Sequence, residues 1–185
     1  MTFRGFVSVD VGDRIDWHSL RRELADVDRG VRAVKTEQLH LTLRFLGDTE
    51  ERLVENLEGL MDRSVEDISP FRLTFQGVGA FPNAKKPRVI WIGLEGAEPL
   101  SVIAERLEKG VVGLGFVPEK RGFRPHATVA RIKNVGRFGR LSSLLERWND
   151  GSFGSMKVDS IHLKSSTLTP QGAIHTTVHT SRLVD

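Results

Sequence analysis

The chain contains no cysteine among its 185 residues. This absence excludes disulfide bonds, a thiol nucleophile and sulfur-ligated zinc, so any catalysis must come from other side chains. Long apolar runs are also missing: no stretch approaches the ~18 residues of a membrane span, and Asp10 and Asp13 fall where a signal peptide would have its apolar core. Neither sign of charge dominates, since the formal net charge is +3, which is compatible with a polyanionic partner without indicating one. We therefore expect a cytoplasmic protein without a membrane contact.

The spacing of apolar residues predicts a single α+β domain covering residues 1–185. A chain of this length usually buries roughly 70% of its unfolded surface in one core. Apolar positions two apart indicate strands, and positions three or four apart indicate helices. Strands are predicted at residues 2–11, 31–34, 39–47, 70–81, 87–95, 125–132, 156–172 and 173–183. Helices are predicted between Asp13 and Gly30, at 48–67, around 100–111 and around 141–148.

Two of these strands carry the same four-residue motif: a histidine, an apolar residue, a threonine and a second apolar residue. The motif reads HLTL from His40 to Leu43 and HATV from His126 to Val129. The two copies lie a little under half the chain apart, and each precedes a helix and then a pair of strands, as an internal duplication would produce. If the two halves pack about a pseudo-twofold axis, both motifs face one cleft.

Strand geometry brings the histidine and the threonine of each motif together. Residues i and i+2 point to the same face, so His40 lies beside Thr42, and His126 beside Thr128. Imidazole has an ordinary pKa near 6.5, so one of the pair can be protonated while the other is neutral at about pH 7. Such a pair suits an in-line displacement at phosphorus. One imidazole takes the proton of the attacking hydroxyl, the other protonates the departing oxygen, and the threonines donate hydrogen bonds to the non-bridging oxygens. This chemistry requires no metal and no cofactor.

Other histidines show how easily part of the motif arises by accident. The stretch from His175 to Val178 reads HTTV, without the apolar second residue, and we interpret it as coincidental. His175 and His179 have a spacing that would suit zinc on a helix. The β-branched residues between them favour a strand, in which the imidazoles lie about 13 Å apart, too far to share one ion.

Arginines near the motifs are candidate phosphate contacts. Arg44 continues the alternation of the first motif, which predicts that it reaches the cleft as a phosphate or ribose contact; a solvated arginine is the alternative. Arg131 follows His126 by five residues and should point away from the cleft unless the strand bulges or ends near Ala130. Further basic residues near the second motif either steer RNA or are ordinary exposed charges. They are Lys85, Lys86, Arg88, Arg121 and Arg124.

Four segments of the chain resemble the 2′-5′ RNA ligase (LigT-like) branch of the two-histidine phosphoesterases. They are HLTLRFLG at 40–47, FPNAKKPRVIWIGL at 81–94, RGFRPHATVAR at 121–131 and LKSSTLTPQG at 163–172. The resemblance extends from Phe6 to about Gly172 and implies a bilobal α+β protein. Members of this family open RNA 2′,3′-cyclic phosphates to 2′-phosphates, and some join such ends to a 5′-hydroxyl in a 2′-5′ linkage.

The same resemblance implies roles for individual residues. It makes His40 the proton donor and His126 the proton acceptor. Thr42 and Thr128 become the phosphate-binding hydroxyls, and Arg131 matches the arginine that follows the second motif. This chain departs from the family after TPQG, where relatives often have an aromatic residue and this sequence reads Ala173, Ile174, His175.

These observations predict a single bilobal domain with two pseudo-symmetric lobes, antiparallel sheets lining a central cleft and helices outside. The predicted activity is that of a metal-free RNA 2′,3′-cyclic phosphodiesterase, with 2′-5′ RNA ligation as an additional reaction. The expected partners are RNA ends with a 2′,3′-cyclic phosphate, tRNA fragments among them, and the protein is expected to act as a monomer. Two alternatives stay open: a non-catalytic module that binds nucleotides or RNA, and a phosphodiesterase acting on a small cyclic nucleotide.

Overall fold

The computed structural model describes residues 1–133, 138–170 and 172–184. In these ranges the chain forms nine β-strands and four α-helices. The strands are β1 (Thr2–Asp10), β2 (Val31–Ala33), β3 (His40–Glu50), β4 (Phe71–Phe81), β5 (Val89–Glu95), β6 (Ala127–Ile132), β7 (Ser152–Val158), β8 (Ser160–Thr169) and β9 (Gly172–Arg182). The helices are α1 (His18–Val27), α2 (Val54–Val65), α3 (Glu98–Gly113) and α4 (Phe138–Arg147).

The strands pair into two antiparallel sheets. The first has the order β3-β1-β8-β9 and the second the order β2-β6-β5-β4-β7. The strand of the first motif, β3, therefore lies in one sheet, and the strand of the second motif, β6, lies in the other. This arrangement confirms the predicted α+β class and the antiparallel sheets. One core holds both halves together, because the buried apolar residues of both sheets and of all four helices form a single cluster.

A β-bulge interrupts β3 directly after the first motif. Thr42 pairs with Ser8 of β1, and Arg44 pairs with the preceding β1 residue, Val7, so Leu43 is an extra residue in the register. A bulge of this kind reverses the alternation of side chains beyond it. Phe45, five residues after the histidine, therefore returns to the face of the motif, and Arg44 faces the opposite side.

The same irregularity occurs in β6 at the equivalent position. Thr128 pairs with Trp91 of β5, and Ala130 pairs with Ile90, so Val129 is the extra residue. Each bulge thus lies three residues after its histidine. The repetition of this detail in both sheets supports the internal duplication that the two motifs indicate.

Several predicted boundaries are wrong, and long-range pairing explains them. The helix predicted from Asp48 begins only at Val54, because β3 continues to Glu50 as a partner of β1. Gly47 permits this continuation at a second bulge, where it adopts a φ of +71° that side chains disfavour. The strand predicted at 156–172 divides at Asp159, where the chain passes from the second sheet to the first.

The first helix also starts later than predicted. It begins at His18 instead of directly after Asp13, and Trp17 occupies the N-cap position without a side-chain cap. Ile15 and Trp17 lie in the loop before the helix and are buried in the core. Their apolar character therefore reflects the packing of the loop and not a helix face. Among the described residues, no helix is both long and apolar enough to cross a lipid bilayer.

Candidate active site

The two motif histidines are oriented by the same backbone contact. The Nδ1 atom of His40 donates a hydrogen bond to the carbonyl oxygen of Gln38 at 2.7 Å, and the Nδ1 atom of His126 donates to the carbonyl oxygen of Arg124 at 2.6 Å. In both cases the acceptor lies two residues earlier in the chain. A bond at Nδ1 fixes the tautomer and leaves Nε2 as the nitrogen that can exchange a proton with a ligand.

Each histidine ring also packs against a phenylalanine of its own sheet, Phe6 of β1 in the first sheet and Phe81 of β4 in the second. The ring centroids of His40 and Phe6 are 5.1 Å apart, and those of His126 and Phe81 are also 5.1 Å apart. Together with the Nδ1 hydrogen bond, this contact restricts rotation of the imidazole. We call each motif, together with the phenylalanine and the carbonyl group that contact its histidine, a half-site. The two half-sites have the same construction, although their sequences share little beyond the motif.

The motif threonines lie on the same faces as their histidines. In β3 the apolar motif residues Leu41 and Leu43 are buried, while His40 and Thr42 are partly exposed on the other face. In β6, Ala127 and Val129 are buried, and Thr128 is likewise partly exposed. The alternation predicted from the sequence is confirmed across both motifs.

Burial gives His40 a perturbed pKa. Desolvation is the main cause and lowers the pKa below its ordinary value, because it disfavours the charged imidazolium. The hydrogen bond to the Gln38 carbonyl and the nearby Asp10 carboxylate oppose this effect, whereas Lys164 and Arg131 add to it. His40 in the free protein thus binds a proton weakly, and an anion placed beside it would raise the pKa again.

His175, the histidine of the HTTV stretch interpreted as a coincidental match to the motif, lies beside His40. The two imidazole centroids are 5.3 Å apart in an edge-to-face arrangement, and the His175 ring also contacts Phe6 at 4.9 Å. Burial, followed by the charge of His40, lowers the pKa of His175. His175 belongs to β9, which is far from His40 in the sequence. The local sequence pattern therefore does not reveal that this ring lies at the site.

A cavity of about 200 Å³ lies next to His40 and is lined mainly by residues of the first sheet. One wall is aromatic, from Phe6 and His175, and the other is polar, from Asp10 and Lys164, which form an ion pair at 2.6 Å. The Ser8 hydroxyl also lines the cavity and is buried without a hydrogen-bond partner among the residues that the structure describes. The cavity therefore offers both a stacking surface and polar groups to a ligand.

Arg131 lies on the motif face of the second sheet. Its partner Val89 and the partner of Thr128, Trp91, are two residues apart on β5 and thus share a face. The bulge at Val129 is the reason. It shifts the alternation by one residue, so Arg131 points to the same face as Thr128 although the two are three residues apart. Arg131 is exposed, and its charge contributes to lowering the pKa of His40, so it lies within electrostatic reach of the first motif.

Arg44 lies elsewhere than the alternation predicts, and that prediction is wrong. The bulge at Leu43 turns Arg44 into the core, where it is only 6% exposed. Its Nε atom lies 2.5 Å from a carboxylate oxygen of Glu108, and its Nη2 atom donates to the Val117 carbonyl at 2.6 Å. Phe45, which is 52% exposed, takes the place on the motif face that Arg44 was expected to occupy.

The two half-sites come close to each other. Although β3 and β6 belong to different sheets, their Cα atoms approach within 8 Å. Basic side chains border the second motif: they are all exposed and form no ion pair with the described residues. They are Lys85, Lys86 and Arg88 in the β4–β5 turn, and Lys120, Arg121 and Arg124 ahead of β6.

Sequence reasoning missed three residues that support the first motif: Phe6, Gln38 and His175. Phe6 could have been found as a residue on the motif face of β1, the strand that pairs with β3. The side chain of Gln38 bonds the Ala173 carbonyl and ties the start of β9 to the motif, a contact between distant segments for which the sequence carries no local signal.

Fold and site together define a class of proteins: two antiparallel sheets, each contributing one His-x-Thr motif with its histidine anchored through Nδ1. A family model described as the 2′-5′ RNA ligase superfamily matches residues 6–168. The chain belongs to this superfamily.

Individual relatives agree with this assignment. The RNA 2′,3′-cyclic phosphodiesterase of Methanothermobacter thermautotrophicus is 35% identical over 99% of this chain and 100% of its own length. The enzyme of the same name from Archaeoglobus fulgidus is 38% identical over 93% and 96%.

Solved structures share the fold. The protein TT0787 of Thermus thermophilus has a TM-score of 0.77 and 30% identity, with 97% of both chains covered. The LigT of Escherichia coli in complex with 3′-AMP has a TM-score of 0.76 with full coverage of both chains, at 22% identity. These neighbours confirm the bilobal α+β fold.

Proposed function

We propose that this protein is an RNA 2′,3′-cyclic phosphodiesterase that opens the terminal cyclic phosphate to a 2′-phosphate. The observation that carries the proposal is the matched construction of the two motifs. Both carry an imidazole with a fixed Nδ1 and a threonine two residues later, and the two motif strands, β3 and β6, approach within 8 Å between Cα atoms. The names of its relatives, which cover nearly the whole chain, support the same substrate.

The proposed reaction is an in-line displacement at phosphorus without a metal. His126 accepts a proton from the attacking water as the new P–O bond forms, and His40 gives a proton to the 3′-oxygen as its bond to phosphorus breaks. The products are a 2′-phosphate and a free 3′-hydroxyl. Each imidazole ends the turnover in the protonation state of the other, so one proton transfer through water restores the starting enzyme.

Three further side chains bind the phosphoryl group in this proposal. The hydroxyls of Thr42 and Thr128 donate to the non-bridging oxygens, where charge accumulates in the transition state. Arg131, exposed on the motif face, supplies a positive charge to the same group. Arg44 has no part in binding, because its guanidinium is engaged in the core.

The proposal also covers the oligomeric state of the protein and its location in the cell. All proposed residues belong to one chain, so we propose that the protein acts as a monomer. We also propose that its substrates are processed RNA such as tRNA fragments and that it acts in the cytoplasm. Size-exclusion chromatography with light scattering tests the first point, and cell fractionation tests the second.

Product analysis tests the proposed activity. RNA oligonucleotides ending in a 2′,3′-cyclic phosphate are incubated with the protein and excess EDTA, and the products are followed by ³¹P NMR. We expect one product, the 2′-phosphate, at an undiminished rate with EDTA. A 3′-phosphate product would contradict the assigned leaving group, and bound but unreacted RNA would favour the non-catalytic binding module. Comparison of kcat/KM for RNA ends and for small cyclic nucleotides separates the remaining alternative.

The exposed cations favour 2′-5′ RNA ligation as a second activity. In the proposed mechanism the nucleophile approaches from the His126 side, and the unpaired basic residues border that side. They can hold the phosphates of a second RNA strand whose 5′-hydroxyl replaces water. Incubation of cyclic-phosphate RNA with a 5′-hydroxyl RNA should give a product that resists nucleases specific for 3′-5′ linkages; hydrolysis alone would limit the protein to the first reaction.

A further inference from the structure

Arg44 stands at the junction of the two half-sites. It belongs to β3, two residues after Thr42, yet its side chain reaches residues that precede the second motif. Its Nη2 atom donates to the Val117 carbonyl at 2.6 Å, and its Nη1 atom lies 3.3 Å from a carboxylate oxygen of Glu119. The first motif is thus linked by one side chain to the segment that leads into His126.

Glu108 of α3 closes this connection into a network. One of its carboxylate oxygens lies 2.5 Å from the Nε atom of Arg44, and the other accepts a hydrogen bond from the Glu119 backbone N–H at 2.9 Å. Arg44 is 6% exposed and Glu108 30% exposed. The attraction within an ion pair that is partly shielded from water is screened less than that within an exposed pair, so it holds its partners more strongly.

The segment from Leu114 to His126 contains no helix or strand between α3 and β6, and its apolar residues Leu114, Phe116 and Phe123 are only partly buried against the core. Among the described residues, every polar contact from 117–125 to another part of the chain goes to Arg44 or Glu108. The Arg124 carbonyl, which orients the His126 imidazole, lies at the end of this segment. A shift of the segment would therefore move the ring of His126 relative to His40.

We propose that Arg44 is a positioning residue that fixes the geometry between the two motif histidines. This inference rests on the proposed function, because it concerns the alignment that a two-histidine displacement requires. Proton transfer from both sides of one phosphorus depends on the relative placement of both imidazoles, and an error of about 1 Å can cost 10²-fold in rate. Binding of the phosphate by the threonines depends less on that alignment.

Variants can separate positioning from stability. Arg44→Met alone leaves the Glu108 carboxylate without its partner and is expected to lower the melting temperature. The double variant Arg44→Met, Glu108→Leu replaces the ion pair by apolar side chains, which usually restores or exceeds the original stability. It does not restore the links to Val117 and Glu119. Arg106→Met serves as the control, since Arg106 lies on the same helix as Glu108 and pairs with Asp67 on the surface at 2.5 Å.

We expect the double variant to melt near the temperature of the unmodified protein, with kcat on a cyclic-phosphate RNA end lowered about 10- to 100-fold and KM changed less than about 3-fold. Arg106→Met should keep both constants. A double variant with both the original stability and the original kcat would overturn the proposal. If the double variant does not fold, Arg44→Met alone, assayed below its own melting temperature, gives the answer, because it also removes the links to Val117 and Glu119: an unchanged kcat would likewise overturn the proposal.

A readout without turnover keeps this inference distinguishable from the proposed function. In NMR spectra of the imidazole Cε1–H groups, the His126 signal should shift or broaden in the Arg44 variants and stay unchanged in Arg106→Met. An unmoved His126 signal would contradict the role of Arg44. Absence of turnover by the unmodified protein would contradict the proposed function alone.

Discussion

At the scale of single residues, His40 combines an environment that disfavours its charged form with a proposed role, that of general acid, which needs a proton. Burial lowers its pKa below the ordinary value near 6.5, and a general acid must be protonated to work. The enzyme therefore loses its acid as the pH rises through this lowered pKa. The phosphate of a bound substrate compensates, because its negative charge favours the imidazolium.

The pH dependence of kcat/KM tests this interpretation of His40. This constant reports the free enzyme, so in a His126→Ala background, where the acid alone governs the profile, kcat/KM should fall along one basic limb whose midpoint lies below pH 6.5. His175→Ala removes a ring that shields His40 from water, so the limb should move upward, toward the ordinary value. His179→Ala is the control and should leave the limb in place, because His179 contacts Asp62 and not His40. A limb that stays fixed in His175→Ala would separate His175 from the proton of His40.

At the scale of secondary-structure elements, the bulges decide which side chains reach the site. Alternation within one strand predicted His40, Thr42, His126 and Thr128 on the motif faces. It failed for Arg44, because a bulge is a property of the register between two strands and not of either sequence alone. The extent of β3 beyond Gly47 depends in the same way on its partner, so an acidic segment that favours a helix locally becomes a strand.

The contact between α2 and β9 is a second feature of this scale. Asp62 of α2 accepts hydrogen bonds from the buried Ser181 hydroxyl at 2.6 Å and from His179 at 3.1 Å. The Ser181 bond, more than His179, lowers the pKa of Asp62. The stabilisation is therefore complete above the ordinary carboxyl pKa near 4 and is lost as the pH falls through the lowered value of the folded state.

Urea unfolding of Ser181→Ala measures this contact. At pH 7 the free energy of unfolding should fall by about 1 to 2 kcal/mol, because the bond joins a buried hydroxyl to a charged carboxylate. The difference should shrink as the pH falls through the lowered pKa of Asp62, because the carboxylate then becomes protonated. Ser160→Ala, which removes an exposed bond to Asp159, is the control and should cost a few tenths of a kcal/mol. An equal loss at pH 7 and below the lowered pKa of Asp62 would exclude the charged partner.

At the scale of the whole molecule, the two motifs indicated a duplicated architecture, and the antiparallel sheets and shared core confirm the predicted α+β fold. The sequence could not reveal which strands share a sheet. The β4–β5 hairpin follows the first motif along the chain but pairs with the strand of the second, since pairing depends on contacts between distant segments. The same holds for the contact of the Gln38 side chain with Ala173 and for the position of His175 beside His40.

The distribution of charge over the molecule predicts a dependence on salt and RNA length. The exposed cations border the His126 side, so longer RNA should gain affinity by releasing counterions, with a slope of about −0.7 in log kcat/KM against log salt for each phosphate contacted. A nucleoside cyclic phosphate should show a weaker slope. Lys85→Gln with Lys86→Gln should flatten the slope for RNA, whereas Lys109→Gln, already paired with Glu105, should not. Equal slopes for both substrates would exclude these residues from RNA binding.

The most direct test of the central claim is kcat on a cyclic-phosphate RNA end, with EDTA present, for His40→Ala, His126→Ala and the double variant. General acid and general base catalysis each contribute about 10² to 10⁴ in rate, so each single variant should lose that much while its melting temperature stays close to the original. The double variant should lose little more, since the two groups act as a unit. Full activity in either single variant, with the fold intact, would contradict the two-histidine mechanism.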